Sequence, residues 1–398
     1  CRFAPRWRAP PAGYFYVSRR KSPAHMSRNF KLSRYGCIRY RALPWAKVVS
    51  QAAMDGYTQD GQMTGRLADT LNERILQPQL DVITTTQPPD HWPILQANTM
   101  RATRTAAIHA AWVRFGRQIF ELSPNLVSAF RLTDVTSSSF EGLHLPYRAF
   151  FLHFGLQADL LLDDPGRVSP EFVDGAYIFQ DAVGTIVIEL TLSRSGDEAS
   201  NLPGVQISIP PELGKLGADE AIGRAIDSEL RANGTIEAAQ ASGRDLNQEV
   251  RAQSAASLET ARGVLVEAAS LISNALFYLS EPQDDLTTRV EEGAPPHLAN
   301  KAIHGKPNLK QLAKQSLTAE GYAVVRYCGA LFPHPVADGD GSREFTKSHW
   351  RRGHWRNQRH GPQLLSIKRI WIRPVLVKAE VGAPEMGRVY VVSPRIDG

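Results

Sequence analysis

The most regular hydrophobic pattern in the chain runs from Leu258 to Leu279, where apolar residues recur at helical spacing. A proline follows at position 282, and proline cannot continue a helix. We therefore predict a long amphipathic helix over 246–280. A shorter helix is predicted over 218–232. The long helix is apolar enough towards its end to pack on a sheet.

Between these helices and the N-terminal region, apolar and aromatic residues alternate with a period of two. That pattern is typical of half-buried strands, and Asp181 to Gly184 has the composition of a hairpin turn. We predict an antiparallel meander with strands over 147–156, 172–180, 185–193 and 205–209.

The region before the meander has helical spacing instead. Thr64 is predicted to cap a helix that Pro78 ends, and a stronger helix is predicted from Asn98 or Thr99 to Leu122. Ser123 and the proline after it have the pattern of a helix start. A helix over 308–317 and a strand over 322–328 are predicted further along.

These elements predict an α+β fold with a helical N-terminal part, an antiparallel sheet packed by a long helix, and a C-terminal basic module that bears strands. The first residues contain many prolines and no apolar period, so we expect a disordered basic leader there, with Met26 closer to a natural start. The predicted organisation is a leader at 1–45, a helical region at 46–135, the sheet and long helix at 140–282, a proline- and charge-rich linker at 283–307, and the basic module at 308–398.

Charge is distributed very unevenly along the 398 residues, although the net charge is only +6. Residues 1–54 hold twelve Lys or Arg and no acid, and residues 343–378 hold ten against one. The remainder has 24 basic and 39 acidic residues, a net charge of −15. Such separation favours different partners for the basic ends and the acidic middle.

The rest of the composition excludes several classes of protein. Three dispersed cysteines cannot form a disulfide framework or a thiolate zinc ribbon, and they fit a reducing compartment. No apolar run has the length of a membrane span, so we expect a cytoplasmic protein with no membrane partner. Phosphate-binding P-loops, zincin motifs and nucleophile elbows are missing from the sequence. We expect no cofactor, and a binding protein more than an enzyme.

The stretch from Ser348 to Gly361 interleaves basic and aromatic residues, with imidazoles at 349, 354 and 360. Cations beside aromatic planes suit the phosphates and bases of a nucleic acid. The predicted nucleic-acid contacts are Arg351, Arg352, His354, Trp355, Arg356 and Arg359.

Three interpretations of this stretch stay open. In a metal-independent phosphodiesterase, His349 or His354 would act as acid or base. In a metal site the histidines would be ligands, but spacings of five and six do not place them on one helical face, so we predict no metal. In a structural interpretation, Trp350, Trp355 and Trp371 pack on the sheet and arginines line the rim. Turn carboxylates such as Asp159 and Asp163 could bind a cation, although turn acids are usually solvated.

The C-terminal stretch resembles the signature of the second type V-A anti-CRISPR family. The residues that carry the resemblance are His349, Arg351, Arg352, Gly353, His354 and Trp355, followed by Gly361, Trp371 and Pro374. Weaker similarity extends over 46–378, including the aromatic strand after Pro146 and the long helix. Basic residues at 356, 359 and 360 depart from the family's more aromatic pattern.

The resemblance implies a regulatory binding protein of a phage, plasmid or other mobile element in a bacterial host. Members of the family lower the level of the Cas12a effector by recognising the start of the nascent polypeptide and triggering loss of its message. We therefore expect a polypeptide target and an RNA or ribosome partner. The alternatives are a general RNA- or DNA-binding module and the phosphodiesterase described above.

Overall fold

A computed structural model of the chain describes residues 56–86, 92–157, 159–162, 171–194, 205–232, 248–281, 285–291, 293–330, 332, 337–338 and 349–377. The helices are α1 (Gly65–Leu71), α2 (Gln77–Thr86), α3 (Trp92–Arg114), α4 (Pro124–Arg131), α5 (Pro211–Gly214), α6 (Ala218–Ala232), α7 (Gln248–Leu279), α8 (Pro296–His304) and α9 (Pro307–Glu320). The strands are β1 (Gln118–Leu122), β2 (Thr133–Asp134), β3 (Ala149–His153), β4 (Leu161–Leu162), β5 (Glu171–Gln180), β6 (Ile186–Arg194), β7 (Gln206–Ile209), β8 (Thr287–Val290), β9 (Val324–Cys328), β10 (Ala337–Asp338), β11 (His349–Arg351), β12 (Gly353–His360), β13 (Ser366–Ile372) and β14 (Val375–Val377).

The predicted α+β class is confirmed, and the sheet is mixed. Its eight strands follow the order β7-β6-β5-β3-β1-β9-β8, with β4 paired to β5 beside that path. The predicted meander forms the antiparallel part from β7 to β3. At the centre, β1 runs parallel to both β3 and β9. Because β1 and β9 lie outside the predicted antiparallel range, the sheet as a whole is mixed.

The central strand β1 arises where the sequence predicted a helix to Leu122. Helix α3 ends at Arg114. Shortly after it, Gly116 has a φ of 93° and Arg117 has a φ of 52°. A left-handed backbone cannot continue a right-handed helix. Trp112 holds the turn by donating from Nε1 to the carbonyl oxygen of Gln118 at 2.9 Å. Apolar residues at 119 and 122 therefore belong to a buried strand, whose spacing over four residues resembles that of a helix.

Two further helix boundaries differ from the prediction in informative ways. The helix predicted to end at Pro78 continues as α2, because a π-helical segment, Asn72–Leu76, shifts the hydrogen-bonding register before that proline. The predicted linker at 283–307 contains β8 and α8. Its second proline, Pro296, lies in the first turn of α8, where the missing N–H is no loss.

Side chains bury both faces of the central sheet. On one face α3 packs through Trp112 against Phe151 and Tyr177. On the other face α4, α6 and α7 cover residues such as Phe150 and Ile178. The long helix α7 and the helix α6 match the ranges predicted from their apolar spacing to within two residues. We infer that α7 is the main helix of the larger core, as its pattern indicated.

The strands of the sheet come from four of the regions into which the sequence divided the chain, since β8 lies in the predicted linker. Strand β1 belongs to the predicted helical region, β3 to β7 to the predicted sheet, and β9 to the predicted basic module. The predicted leader at 1–45 lies outside the described residues. Among the helices that the structure describes, none combines the length and the apolar character that crossing a membrane requires.

Candidate nucleic-acid interface

Strands β12 and β13 form a two-stranded antiparallel ribbon, which we call the basic ribbon (residues 353–372). Trp355 lies opposite Trp371, and Arg359 lies opposite Ile367 near the far end. At its base β12 also pairs in parallel with β2, which follows α4. All residues from 356 to 368 are exposed, so the ribbon has a base within the fold and an arm outside it.

The base of the ribbon is anchored through Trp355. Its indole is 3% exposed, and Nε1 donates a hydrogen bond to Oδ1 of Asn274 on α7 at 2.7 Å. The same carboxamide donates from Nδ2 to the carbonyl oxygens of Phe130 at 2.9 Å and Thr133 at 3.1 Å. One buried side chain thus ties the long helix to α4, to β2 and to the ribbon.

Trp371 completes the anchor from the other strand. Its ring is stacked with that of Trp355, at 5.9 Å between centroids and 19° between planes, and with that of Phe332, at 5.5 Å and 13°. Its Nε1 donates to Oγ1 of Thr133 at 3.1 Å. Offset stacking adds to the free energy gained from apolar burial.

These contacts correct one sequence-based assignment. Trp355 was expected to contact nucleic acid, but its ring is enclosed between α7 and Trp371, so it has no face on which a base could stack. The structural interpretation of Trp355 and Trp371 agrees with the geometry, except that they pack on α7 and α4 and not on the central sheet. The side chain of Trp350 lies outside what the structure describes.

One arginine of the ribbon faces inwards. Arg369 donates from Nη2 to the carbonyl oxygen of Ser139 at 2.9 Å, and its guanidinium lies 4.5 Å from the centre of the Phe277 ring. Burial lowers the pKa of this guanidinium below the ordinary arginine value, and the carboxylate of Glu281 acts in the opposite direction. Arg369 therefore holds the ribbon to the fold and is not a free cation of the surface.

The other cations lie on the outside. Arg351, Arg352, Arg356 and Arg359 are exposed, as the sequence predicted for phosphate contacts. Arg356 is adjacent to Trp355, so strand alternation directs its side chain to the opposite face of the ribbon. There it donates to Oε1 of Gln358 at 2.7 Å.

Charge along this segment has a single sign. Residues 349–377 contain seven Lys or Arg and no acid. Arg356 and Lys368 belong to one face of the ribbon and Arg359 to the other, as their register requires. Both faces of the arm therefore carry positive charge.

The remaining signature residues shape the base of the ribbon. A Cβ on Gly353 would lie 2.6 Å from Oγ1 of Thr133 and 2.9 Å from the carbonyl oxygen of Ile372, so no other residue fits without a shift. Gly361 has a φ of 76°, which suits glycine at the start of the turn. Pro374 is buried beside Gly353.

The two histidines predicted for catalysis lie on different strands, and the side chain of His349 is outside what the structure describes. His354 is half-buried and lies opposite Ile372 and beside Asp134, whereas His349 lies on β11 opposite Val377. In the described ranges, no three His, Cys, Asp or Glu side chains are grouped so that they could hold a metal ion. Among the turn carboxylates, Asp159 forms an ion pair with Arg131. The hydrogen bond from Arg131 is the main cause of the lowered pKa of Asp159. Asp163 lies outside the described residues.

A second group of polar side chains lies inside the fold. Glu121 of β1 is next to His153 of β3 at the carboxyl ends of these parallel strands, and Glu189 is buried on β6 opposite Tyr177. His109 of α3 packs against the ring of Tyr177, with centroids 4.3 Å apart. All four of these side chains are buried, so the basic ribbon is the better candidate for a site.

Sequence reasoning missed the residues that position the ribbon, chiefly Asn274, Thr133 and Arg369. A signal for Asn274 exists: together with Ser273 it interrupts an otherwise apolar run at the end of the long helix. A buried polar residue needs a hydrogen-bond partner, which makes such an interruption worth following. No signal in the sequence shows that the partner is 81 residues away.

Comparison with known proteins supports the resemblance to a type V-A anti-CRISPR family. Residues 120–379, more than half of the chain, match the AcrVA2-like family, described as the anti-CRISPR type V subtype A2 family. Among solved structures, the crystal structure of AcrVA2 is similar, with 13% sequence identity and a TM-score of 0.34. That similarity covers 78% of this chain and 97% of the other. No curated protein matches.

The matched range begins in the central strand β1 and ends just after β14, so it includes the central sheet, α7 and the whole basic ribbon. The chain belongs to the anti-CRISPR type V subtype A2 family.

Proposed function

We propose that this anti-CRISPR protein lowers the expression of a type V-A effector such as Cas12a by binding the start of its nascent polypeptide together with RNA at the ribosome. The observation that carries the proposal is the basic ribbon, an acid-free arm whose exposed cations are held away from the fold. Family membership supports the anti-CRISPR role. It favours neither the general nucleic-acid-binding module nor the phosphodiesterase.

The ribbon is suited to RNA because its cations have no acidic neighbours on the arm to neutralise them. Arg356 and Arg359 are exposed, and guanidinium groups donate paired hydrogen bonds to phosphate oxygens. Arg351 and Arg352 extend the same positive surface towards the base of the ribbon. A ribosome presents such phosphates close to any nascent chain.

The polypeptide target would bind elsewhere on the molecule. The part of the chain outside the two basic ends has a net charge of −15, so it is complementary to a basic segment of polypeptide and repels RNA. Separate surfaces of opposite charge would let one protein hold a nascent chain and the RNA around it at the same time.

Co-expression in bacteria tests the cellular role. The effector and a version with a scrambled sequence over its first residues would each be expressed with this protein, and effector protein and message would be measured. We expect both to fall only for the natural start. Equal loss for both versions, or no loss for either, would contradict recognition of the nascent start.

An RNA-binding measurement tests the ribbon itself. Arg356→Ala with Arg359→Ala should weaken binding of a single-stranded RNA, and the slope of log K against log salt should flatten by about 1.4, or roughly 0.7 for each phosphate contact. Arg74→Ala with Arg224→Ala removes the same charge from exposed positions of the body and serves as the matched control. Equal effects of the two double variants would show that only net charge matters and would defeat the assignment.

A further inference from the structure

The tip of the basic ribbon is unusually apolar for a charged arm. Leu364, Leu365 and Ile367 are 55%, 77% and 62% exposed, and they follow one another at the end of the ribbon. Cations flank them on both strands, at Arg359 and Lys368. Scattered apolar residues on a surface need no explanation, but three together at the end of a charged arm do.

The backbone of the tip holds these side chains outwards. Gln363 and Leu364 have φ values of 55° and 56°, in the left-handed region that residues with a Cβ seldom adopt. Such conformations persist where the surrounding structure requires them, and they occur often at functional sites. Leu364 donates its N–H to the carbonyl oxygen of Gly361 at 3.1 Å, which closes the turn.

We propose that the tip is a wedge that inserts Leu364 and Leu365 among unpaired bases of a structured RNA, while the cations of the arm contact the phosphates on either side. This inference rests on the proposed RNA binding and names the class of RNA, which is a helix interrupted by a bulge or an internal loop.

The distribution of charge favours such an RNA over a protein surface. Arg356 and Lys368 lie on one face of the ribbon and Arg359 on the other, whereas docking on a protein would use one face. A groove with phosphates on both walls meets both faces. The major groove of regular A-form RNA has phosphates on both walls but is too narrow and deep to admit a ribbon. Bulges and loops interrupt the helix and supply splayed bases that apolar side chains can contact.

The same tip is poorly suited to a membrane. A stable attachment to lipid needs more apolar area than three side chains provide, or a second anchor. Inserted leucines contribute more binding free energy among bases, because each contact replaces lost base stacking and the flanking cations already hold the RNA backbone.

The test compares two synthetic RNAs with the full-length protein by fluorescence anisotropy. One is a fully paired duplex, and the other has the same length with a bulge of three adenines, one of them replaced by 2-aminopurine. We expect the bulged RNA to bind about tenfold more tightly, with a change in 2-aminopurine emission. Leu364→Ser with Leu365→Ser should remove that preference and the emission change, and leave duplex affinity and salt slope unaltered.

Two exposed leucines elsewhere provide the matched control. Leu309→Ser with Leu312→Ser, on α9, should behave as the wild type. The wedge is overturned if the tip variant keeps the preference for the bulge, if wild type binds both RNAs equally, or if the tip variant instead loses binding to anionic phosphatidylglycerol vesicles with RNA binding unchanged. Absence of salt-dependent binding to either RNA by the wild type would instead overturn the proposed RNA binding, and the wedge with it.

Discussion

Replacing Asn274 with alanine gives the sharpest test of how the ribbon is attached. The carboxamide makes three buried hydrogen bonds, to Trp355, Phe130 and Thr133, at 2.7, 2.9 and 3.1 Å. Alanine removes all three and leaves the indole N–H of Trp355 without this acceptor inside the core. A buried polar group that loses its partner costs about 1–3 kcal/mol. Because the three bonds share one side chain, we expect a combined loss of about 3–4 kcal/mol.

That loss is a large fraction of the roughly 5–15 kcal/mol by which folded domains are stable. Urea unfolding, followed by tryptophan fluorescence and far-UV circular dichroism, measures it as a shift of the midpoint. Asn357→Ala is the control on the ribbon itself, since that side chain is exposed and its loss should change stability by less than about 0.5 kcal/mol.

A double-mutant cycle isolates the bond between the two side chains. Trp355→Phe keeps an aromatic ring in the core and removes the donor, so Oδ1 of Asn274 loses its partner. Combined with Asn274→Ala, it should cost less than the two single variants together, by about 1–2 kcal/mol. A loss under about 1 kcal/mol for Asn274→Ala, or strict additivity in the cycle, would refute the view that this hydrogen bond holds the ribbon.

Three further outcomes are expected from single positions. Gly353→Ala should destabilise the base of the ribbon by about 2 kcal/mol or more in urea unfolding, because the new Cβ would overlap backbone atoms. Gly263 lies on a helix, and a Cβ there would have no atom within 4 Å, so Gly263→Ala should stabilise the protein by about 0.5–1 kcal/mol. Burial raises the pKa of Cys328, so with the other two cysteines replaced by serine this thiol should react with a disulfide reagent only after unfolding. The pKa of Asp159 is lowered by its bond to Arg131, so Asp159→Asn should reduce stability at neutral pH. In acid unfolding the difference should start to shrink below the unfolded pKa of about 4 and vanish once the pH is below the lowered pKa of the folded state.

Each of these has a plain contrary result. Equal changes at the two glycines would show that neither the close contacts nor the helix matters. A thiol that reacts at the same rate in native and unfolded protein would place Cys328 at the surface. A constant difference between wild type and the Asp159 variant across the acid range would remove the ion pair as its cause.

The helical and antiparallel parts of the fold could be predicted because their patterns are local. The stripe of α7 and the apolar runs of β5 and β6 are contained within each segment, and all three elements lie close to their predicted ranges. Strand β1 escaped prediction because its four consecutive buried residues carry no clear period, and only the left-handed backbone at Gly116 and Arg117 separates it from α3.

For the ribbon, the basic residues were evident from the sequence and the roles of its aromatic residues were not. Once the segment is known to be a strand, alternation alone separates Trp355, which faces the core, from Arg356, which does not. Residues 353–360 carry no strand signal, because polar and charged residues dominate there. The anchor at Asn274 depends on a contact between distant segments, which local patterns do not report.

The pairing of β1 with β9 has a consequence for synthesis of the protein. The two strands join residues near 120 and 326, so the middle of the sheet is closed only after about two hundred further residues have left the ribosome. Until then the edge of β1 that will meet β9 has unpaired N–H and carbonyl groups, and such an edge can pair with other chains. A chain that stops before residue 324 would keep α7 and the meander but expose this edge permanently. We therefore expect C-terminal truncations that remove β9 to aggregate rather than to yield a smaller folded domain.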